Sequence, residues 1–186
     1  MKKKLASVGL IAIALFGTTA CTTVPPLDFT VPEVGVVDNR KDAELVSLTI
    51  GFAPQTQQRR MQAGQHVAPI WKEALTDAVN RSLIFADESD LRVNLSVRII
   101  EFDLPDFGAD LKTTVAALYE VVDRSSGDVL MTEEISSEGV VPFGYALSAL
   151  VRQQESANRA VRNNIAEFVS RLEASDFGRP VFPATS

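Results

Sequence analysis

The chain has 186 residues and a formal charge of −6, and 46% of its residues are hydrophobic. This hydrophobic content excludes general disorder, and an acidic chain lacks the basic face that the phosphates of nucleic acids require. A single cysteine and a single histidine exclude an internal disulfide and leave almost no ligands for a soft metal.

The first twenty residues follow the three-part pattern of a secretory signal peptide. Three lysines form a basic start, a short apolar run extends from Leu5 to Phe16, and small residues lead to Ala20. A helix that spans a bilayer needs roughly 20 apolar residues, so this run is too short to be a membrane span. We therefore predict that residues 1–20 are a cleaved signal peptide.

Cys21 follows this segment directly, and the sequence around it resembles the lipobox of bacterial lipoproteins. The resemblance implies that Cys21 becomes the mature N-terminus and carries diacylglycerol and a further acyl chain such as palmitate, which together would anchor the chain stably. Lipoboxes prefer an aliphatic residue where this chain has Thr18, so ordinary cleavage near Ala20 is the alternative. Thr22 in place of aspartate implies the outer membrane, facing the periplasm, by the sorting rule of enteric bacteria; the inner membrane is the alternative.

Removal of residues 1–20 takes away three lysines and no acids, which leaves 15 basic and 24 acidic residues. This balance disfavours a polybasic contact with anionic lipid, so the predicted lipid must provide the attachment. Residues 21–33 are predicted to be the lipidated cysteine and an extended tether, because three prolines favour extended backbone.

The next residues predict a short strand over 34–37 and a polar turn over 38–42. Alternating apolar residues predict a strand from Leu45 to Phe52. Residues 53–66 are polar and have no period, which predicts a long exposed loop that serves either as a spacer or as a contact surface.

Apolar residues at steps of three and four predict a helix from Val67 to near Phe85, with Trp71 in the core. Alternation over 91–99, 111–122 and 129–135 then predicts an antiparallel meander of three strands. A linker over 139–144 leads to a long helix over 145–174, whose polar middle leaves a break open.

This order of elements predicts one α+β periplasmic domain over residues 34–174, followed by an extended tail over 175–186. We expect a two-layer sandwich in which two main helices pack on one face of a mostly antiparallel sheet of four or five strands. A crossover through the first helix is expected if the strands over 45–52 and 91–99 lie parallel in one sheet. The open face and edge of that sheet could accept a partner strand.

The sequence contains no recognisable catalytic constellation and no glycine-rich nucleotide motif, so we predict neither enzymatic activity nor a cofactor. A nucleophile usually needs a histidine beside it, and we predict that the only one, His66, is solvated or caps a helix. The pair Arg59 and Arg60 is predicted to lie in a solvated loop and not to clamp an anion.

Four carboxylates crowd the end of one predicted strand, at Glu101, Asp103, Asp106 and Asp110. Paired carboxylates can hold calcium or perform acid–base catalysis. Their irregular spacing, interrupted by Pro105, favours a solvated acidic turn instead.

Five large apolar residues fall in or beside the predicted connections: Phe102, Leu104, Phe107, Phe143 and Tyr145. Such residues need cover from water, which leaves two interpretations. They either close the ends of the sheet core or line a groove for a ligand or partner.

The layout of the chain resembles that of small envelope lipoproteins. It combines the lipobox, the segment Val-Val-Asp-Asn-Arg at 36–40, a helix ending in Leu-Ile-Phe at 83–85, antiparallel strands, and a closing helix with Asn-Arg-Ala-Val-Arg at 158–162. In this it resembles the YajG-type lipoproteins and is similar to the auxiliary lipoproteins of lipid-trafficking ABC systems. The second family implies a non-catalytic periplasmic role beside a lipid transporter.

We therefore predict a membrane-anchored periplasmic lipoprotein that acts as a non-catalytic binding or assembly module of the bacterial cell envelope. Its expected partners are the membrane, through the lipid, and another envelope protein. The alternatives are a carrier of lipid or of another small apolar ligand, and an auxiliary subunit of an ABC-type lipid transport system.

Overall fold

A computed structural model describes residues 24–106 and 108–184 of the chain. The predicted signal peptide, Cys21 and Phe107 lie outside the described residues. The strands are β1 (Lys41–Phe52), β2 (Phe85–Ala86), β3 (Arg92–Asp103), β4 (Leu111–Asp123) and β5 (Val129–Val141), and the long helices are α1 (Val67–Ser82) and α2 (Ala149–Ala174).

The five strands form one sheet in the order β2-β1-β3-β4-β5. β1 runs parallel to both of its neighbours, whereas β3, β4 and β5 are antiparallel. The predicted α+β class is confirmed. The prediction of a mostly antiparallel two-layer sandwich is wrong, because the sheet is mixed and curls into a half-barrel.

Both departures have a physical cause in the strands and their connections. α1 carries the chain from β1 to β3, and a helical crossover of this kind joins parallel strands. The register also shifts within the pairs β1–β3, β3–β4 and β4–β5. Bulges bend a strand and increase its twist, and three of them curl the sheet.

The bulge in β3 explains why the alternation of apolar residues breaks after Ile99. Ile99 pairs with Ala117 and Glu101 pairs with Ala116, so Ile100 is the inserted residue. Ile100 packs with Ala116 in a small cluster apart from the main core. The insertion also returns Phe102 to the main core, so that β3 continues to Asp103.

The main core lies between the sheet and the two helices. Trp71 of α1 and Phe168 of α2 are fully buried, which confirms the predicted core position of Trp71. Phe168 stacks on Tyr119 of β4 with ring centroids 4.1 Å apart. Polar pairs such as Arg98 and Glu120, whose charged atoms are 2.6 Å apart, lie on β3 and β4 outside this core.

The segment predicted to be a tether is extended, but from residue 27 onward it packs on the helices. Phe29 and Val31 are each only 1% exposed. The backbone N–H of Asp28 donates to Asn158 of α2 over 3.1 Å, and Arg81 of α1 donates to the carbonyl of Val31 over 2.7 Å. We call residues 27–37 the N-terminal strap, which shortens the chain available as a tether.

The predicted strand over 34–37 is not formed, because these residues belong to the strap. Val37 donates its backbone N–H to Ser82 at the end of α1. α1 ends there, before the predicted Phe85, because Leu83 takes a left-handed conformation with φ of 51°. This turn directs Ile84 into the core and starts β2.

α2 begins at Ala149 and continues without a break through its polar middle. Ser148 caps it by accepting the backbone N–H of Val151 over 3.4 Å. Arg152 and Ser156 are buried, because this part of α2 packs against the sheet and the loop before β4. Two residues of the polar middle therefore face the interior, and Gln153, Gln154 and Glu155 are partly buried.

α2 also covers the edge of β5, which is one of the two sheet edges that could have accepted a partner strand. Side chains of Arg159, Asn163 and Asn164 donate to backbone carbonyls of β5. Gly139 allows the close approach, since a Cβ there would lie 2.1 Å from the Ser156 carbonyl oxygen. The first residue of β5, Val129, pairs with Phe182 of the tail, so this edge is covered at both ends.

Candidate binding groove

The ends of several elements meet at one end of the domain. β1, β3 and β5 end there, and β4, α1 and α2 begin there. The loops 53–66, 104–110 and 142–148 therefore lie at the same end. We call it the groove pole, and we call the opposite end, which carries β2, the β4–β5 turn and the C-terminal tail, the tail pole.

An open groove of about 330 Å³ lies at the groove pole between the first turns of α1 and α2. Its apolar lining comes from the strap, the loop before α1, both helices and the end of β3: Leu27, Ala63, Val67, Ile70, Phe102, Leu104, Leu150 and Ala157. Among the described residues, the rest of its lining contains no carboxylate, lysine or arginine: Gln62, Gly64, His66, Gln153 and Gln154. The groove is therefore an apolar site whose rim carries amide groups and one imidazole.

The polar loop over 53–66 forms one side of this groove and is ordered against the sheet. Arg59 donates its backbone N–H to the carbonyl of Ile100, and Gln62 donates to the carbonyl of Phe102. The side chain of Gln62 also accepts the backbone N–H of Leu104 over 2.6 Å. These contacts extend the parallel pairing beyond β1 and hold the rim in place.

The structure divides the five apolar residues singled out from the sequence. Phe102 and Leu104 line the groove, and Phe102 is also part of the core. Phe143 and Tyr145 lie outside it, on a single 3-10 turn between β5 and α2. Phe107 lies outside the described residues.

Sequence reasoning missed the groove residues on the helices. Val67, Ile70 and Ala157 continue the apolar stripes of α1 and α2, and this periodicity assigns them to the core. A stripe shows which face of a helix is apolar, but not whether a neighbour covers all of it. Leu150 carries the one available signal, since it falls on the apolar stripe only two residues after Ser148, in the first turn of α2.

An apolar patch lies beside the groove on the β5–α2 connection. It consists of five large side chains that are at least 46% exposed: Val140, Phe143, Tyr145, Leu147 and Leu150. Leu150 belongs to both the patch and the groove. The two therefore form one continuous apolar surface at this pole.

Two arginines lie behind the aromatic rings of the patch. The guanidinium of Arg152 is 4.9 Å from the ring centroid of Phe143, and that of Arg159 is 5.2 Å from the ring centroid of Tyr145. Arg152 is only 5% exposed and donates to the carbonyl of Ala109 over 2.7 Å. Among the described residues no carboxylate forms a salt bridge with it, so its partners there are the Ala109 carbonyl and the aromatic ring.

The carboxylates that were considered for metal binding or catalysis contact different partners. Glu101 pairs with Arg59 and Asp103 with Arg60, while Asp110 accepts the backbone N–H of Phe143 over 3.2 Å. In residues 24–106 and 108–184 no group of three or more histidine, cysteine or acidic side chains is arranged to hold a metal ion. The acidic residues therefore form no common site there.

The arginines and the histidine of the polar loop also have the environments that are common for surface residues. Arg59 pairs with Glu134 as well as with Glu101, and the hydrogen bond to Glu134 raises the pKa of Arg59. His66 is exposed at the start of α1 and makes no side-chain capping bond there. Of its two predicted roles, the solvated one agrees with this geometry.

No helix in the described part of the chain combines the length and the apolar character needed to cross a membrane.

No family model and no curated protein matches the chain. Among solved structures, it is similar to a protein of family DUF330 from Xanthomonas campestris, with 13% identity over 83% of this chain and 94% of that one and a TM-score of 0.53. It is also similar to a candidate lipoprotein from Caulobacter crescentus, with 13% identity over 72% of this chain and 88% of that one and a TM-score of 0.45.

A third similar structure is that of a minor lipoprotein from Acinetobacter baumannii, with 8% identity over 69% of this chain and 92% of that one and a TM-score of 0.43. At these identities the Xanthomonas protein shows a shared fold and no more.

Proposed function

We propose that the chain is a lipoprotein of the bacterial cell envelope and that its domain is a non-catalytic binding module. Lipid on Cys21 attaches it to the membrane, and the groove is its binding site. The observation that carries this proposal is an open, uncharged, apolar groove at the end of the domain where the N-terminal strap begins.

The groove has the size and the chemistry of a site for an apolar group. A volume of about 330 Å³ is at the small end of the range for ligand pockets, roughly 300–1,000 Å³. A charged group that entered it would lose its hydration and find no charged partner, which is strongly unfavourable. The occupant is therefore an apolar segment of a partner protein or an acyl chain.

The rim of the groove is held in place before any ligand binds. Gln153 donates to the carbonyl of Pro105 over 3.0 Å, and Gln154 donates to the carbonyl of Pro25. Gln62 is fixed by its bond to Leu104. A site that is ordered in advance loses less conformational entropy on binding, which favours affinity.

Our first candidate function is docking of another envelope protein, whose apolar side chains would enter the groove. Leu150 joins the groove to the patch, so the apolar surface extends beyond a small pocket, as interfaces with proteins do. The domain would then hold its partner at the membrane that the lipid selects.

The second candidate function is to carry a lipid or another small apolar molecule. Leu27 forms part of the groove wall, and the chain before it leads within a few residues to Cys21. The groove is thus close to the membrane from which an acyl chain would come. A role beside an ABC-type lipid transporter is a narrower form of this proposal.

Site-specific photo-cross-linking in living cells tests both candidates. The full chain would carry a photoreactive residue at Ile70 or Leu104 in the groove, with Val181 at the tail pole as the control. Protein adducts from the groove positions alone support docking, and lipid adducts from those positions alone support the carrier. Adducts from Val181 without adducts from the groove contradict both.

The lipid attachment has a separate test. Cys21→Ser should abolish labelling of the chain with a radioactive or clickable fatty acid. Persistence of the label in this variant would contradict the proposed anchor and leave the groove to be judged by its own cross-links.

A further inference from the structure

We infer that the groove pole faces the membrane and that the apolar patch enters the interfacial region of the bilayer. The patch would thus be a second membrane contact, beside the lipid on Cys21. This inference rests on the proposed lipid anchor, and it assigns one occupant to the patch, which is the surface of the membrane that carries the chain.

The reach of the N-terminal chain supports this orientation. The carbonyl of Pro25 accepts a hydrogen bond from Gln154, so the described chain begins beside the second turn of α2. Pro25 follows Cys21 by four residues, which span at most about 14 Å when extended. Leu147 lies two residues before the start of α2 and Gln154 five residues after it, so the two are at most about 15 Å apart. A lipid on Cys21 therefore holds the patch within reach of the bilayer.

The composition of the patch fits a membrane interface. Leu147 is completely exposed and Phe143 is 64% exposed. Contiguous apolar side chains of this size usually mark an interaction site. Aromatic residues are enriched at the boundary of the hydrocarbon region, where one end of the ring meets lipid and the other meets water.

The cavities at the tail pole are lined by charged side chains of both signs. Asp42, Glu44, Glu88 and Asp90 line one of them, and Arg40 and Lys41 line its neighbours. Placing this surface in the membrane interface would remove these charges from water, which is unfavourable, so the groove pole is the better face toward the bilayer.

This orientation has a consequence for the binding site. Leu150 belongs to the patch and to the groove, so the groove mouth would lie at the membrane surface. The membrane would then limit what can enter the groove to groups that are present at its surface.

An environment-sensitive fluorophore measures the position of the patch directly. Leu147→Cys in the full lipidated chain provides a thiol for a nitrobenzoxadiazole label, because the sulfur of Cys21 is already bonded to diacylglycerol. Leu147 is fully exposed, so the substitution should not affect folding. Val181→Cys is the matched control, since it replaces an exposed apolar residue at the tail pole.

The labelled chains would be reconstituted in vesicles of phosphatidylethanolamine and phosphatidylglycerol. We expect the emission at position 147 to shift to the blue and to be quenched by lipids that carry a spin label near the headgroup, while position 181 keeps the emission of a label in water. Mass spectrometry of the same samples reports the lipid on Cys21.

Three results would overturn the inference. A water-like label at 147 on a chain with acylated Cys21 rejects the membrane contact and leaves the anchor intact. Absence of lipid on Cys21 rejects the anchor and this inference together. A blue shift at 147 that depends on protein concentration in the Cys21→Ser form, without vesicles, assigns the patch to a second copy of the chain.

Discussion

Both poles of the domain expose apolar side chains, but the residues around these side chains differ between the poles. At the tail pole, Leu83, Val181 and Phe182 are exposed near turns rich in carboxylates, and the cavities there are lined by charged residues. At the groove pole, the exposed residues adjoin a groove without charged lining. Among the described residues, the groove pole is thus the better match for an apolar group.

The difference follows from how the strands are connected. At the tail pole, a tight turn joins β4 to β5, and Asp123 fixes it by accepting the backbone N–H of Ser125 over 2.7 Å. Gly127 completes this turn with a positive φ of 81°. The groove pole has longer loops, which leave space between the helix ends. The predictions below test this contrast, beginning with the largest expected effect.

Removal of Phe29 should have the largest effect, because this side chain fixes the strap to the core. Phe29→Ala leaves a cavity beside Trp71, whose ring centroid is 6.4 Å away, and should lower the free energy of unfolding by about 3–5 kcal/mol. Urea unfolding of the Cys21→Ser form measures it. Val36→Ala, on an exposed part of the strap, should change stability by less than about 0.5 kcal/mol. An equally small loss of stability in Phe29→Ala and Val36→Ala would show that the strap does not belong to the fold.

Gly139→Ala should disturb the packing of α2 over β5. The added Cβ would lie 2.1 Å from the Ser156 carbonyl oxygen and 2.4 Å from the Ala160 nitrogen, so helix and strand must separate, at a loss of about 3 kcal/mol. The control is Gly51→Ala, where no atom lies within 4 Å of the new Cβ. Similar urea midpoints for the two variants would contradict the close approach of α2.

Asn164→Ala should remove a buried polar link between α2 and the sheet. Tyr119 donates its hydroxyl to Asn164 over 2.8 Å, and the Asn164 amide donates to the carbonyl of Ile135 over 2.9 Å. Burial raises the pKa of Tyr119, which keeps this hydroxyl protonated. The two groups left without partners should lower stability by about 2 kcal/mol. Asn163→Ala, on the exposed side of α2, should lower stability by less than half as much in the same unfolding assay. An equal loss of stability in the two variants would contradict the greater importance of the buried asparagine.

The smallest predicted effect is a pH dependence at the tail pole. Hydrogen bonds from Ser125 hold the pKa of Asp123 below its usual value. A lowered folded pKa stabilises the protein above the unfolded pKa, about 3.9, and this stability is lost as the pH falls through the folded value. Asp123→Asn should therefore reduce stability by less than about 1 kcal/mol at pH 7. Unfolding midpoints measured from pH 7 down to about pH 2 should converge at the acidic end, and a constant difference would contradict this assignment.

The sequence predicts the helices and strands that have a strong periodicity. Prediction from the sequence fails for segments whose structure is determined by tertiary contacts. Alternation locates β3, and the apolar stripe places Trp71 in the core. The same alternation runs through Leu27, Phe29 and Val31, but nearby prolines favoured a tether. A period of two in three residues does not distinguish a packed segment from a free one.

The curl of the sheet and the groove depend on features that local patterns do not report. Ile99 and Ile100 in succession indicate an irregularity, but only the register of β4 identifies a bulge. Phe102 and Leu104 were recognised because they fall near a connection, whereas the groove residues of the helices look like core residues. Whether an apolar helix face is covered depends on the loops at its end.

The most direct test of the central claim is to fill the groove. Ala63 lies at its rim and is only partly buried, so Ala63→Trp should occupy the groove without unfolding the domain, and Val181→Trp at the tail pole is the control. We predict that Ala63→Trp abolishes photo-cross-linking from position 104 in cells at unchanged urea stability, while Val181→Trp leaves it intact. Undiminished cross-linking from position 104 in a stably folded Ala63→Trp chain would contradict the groove as the binding site.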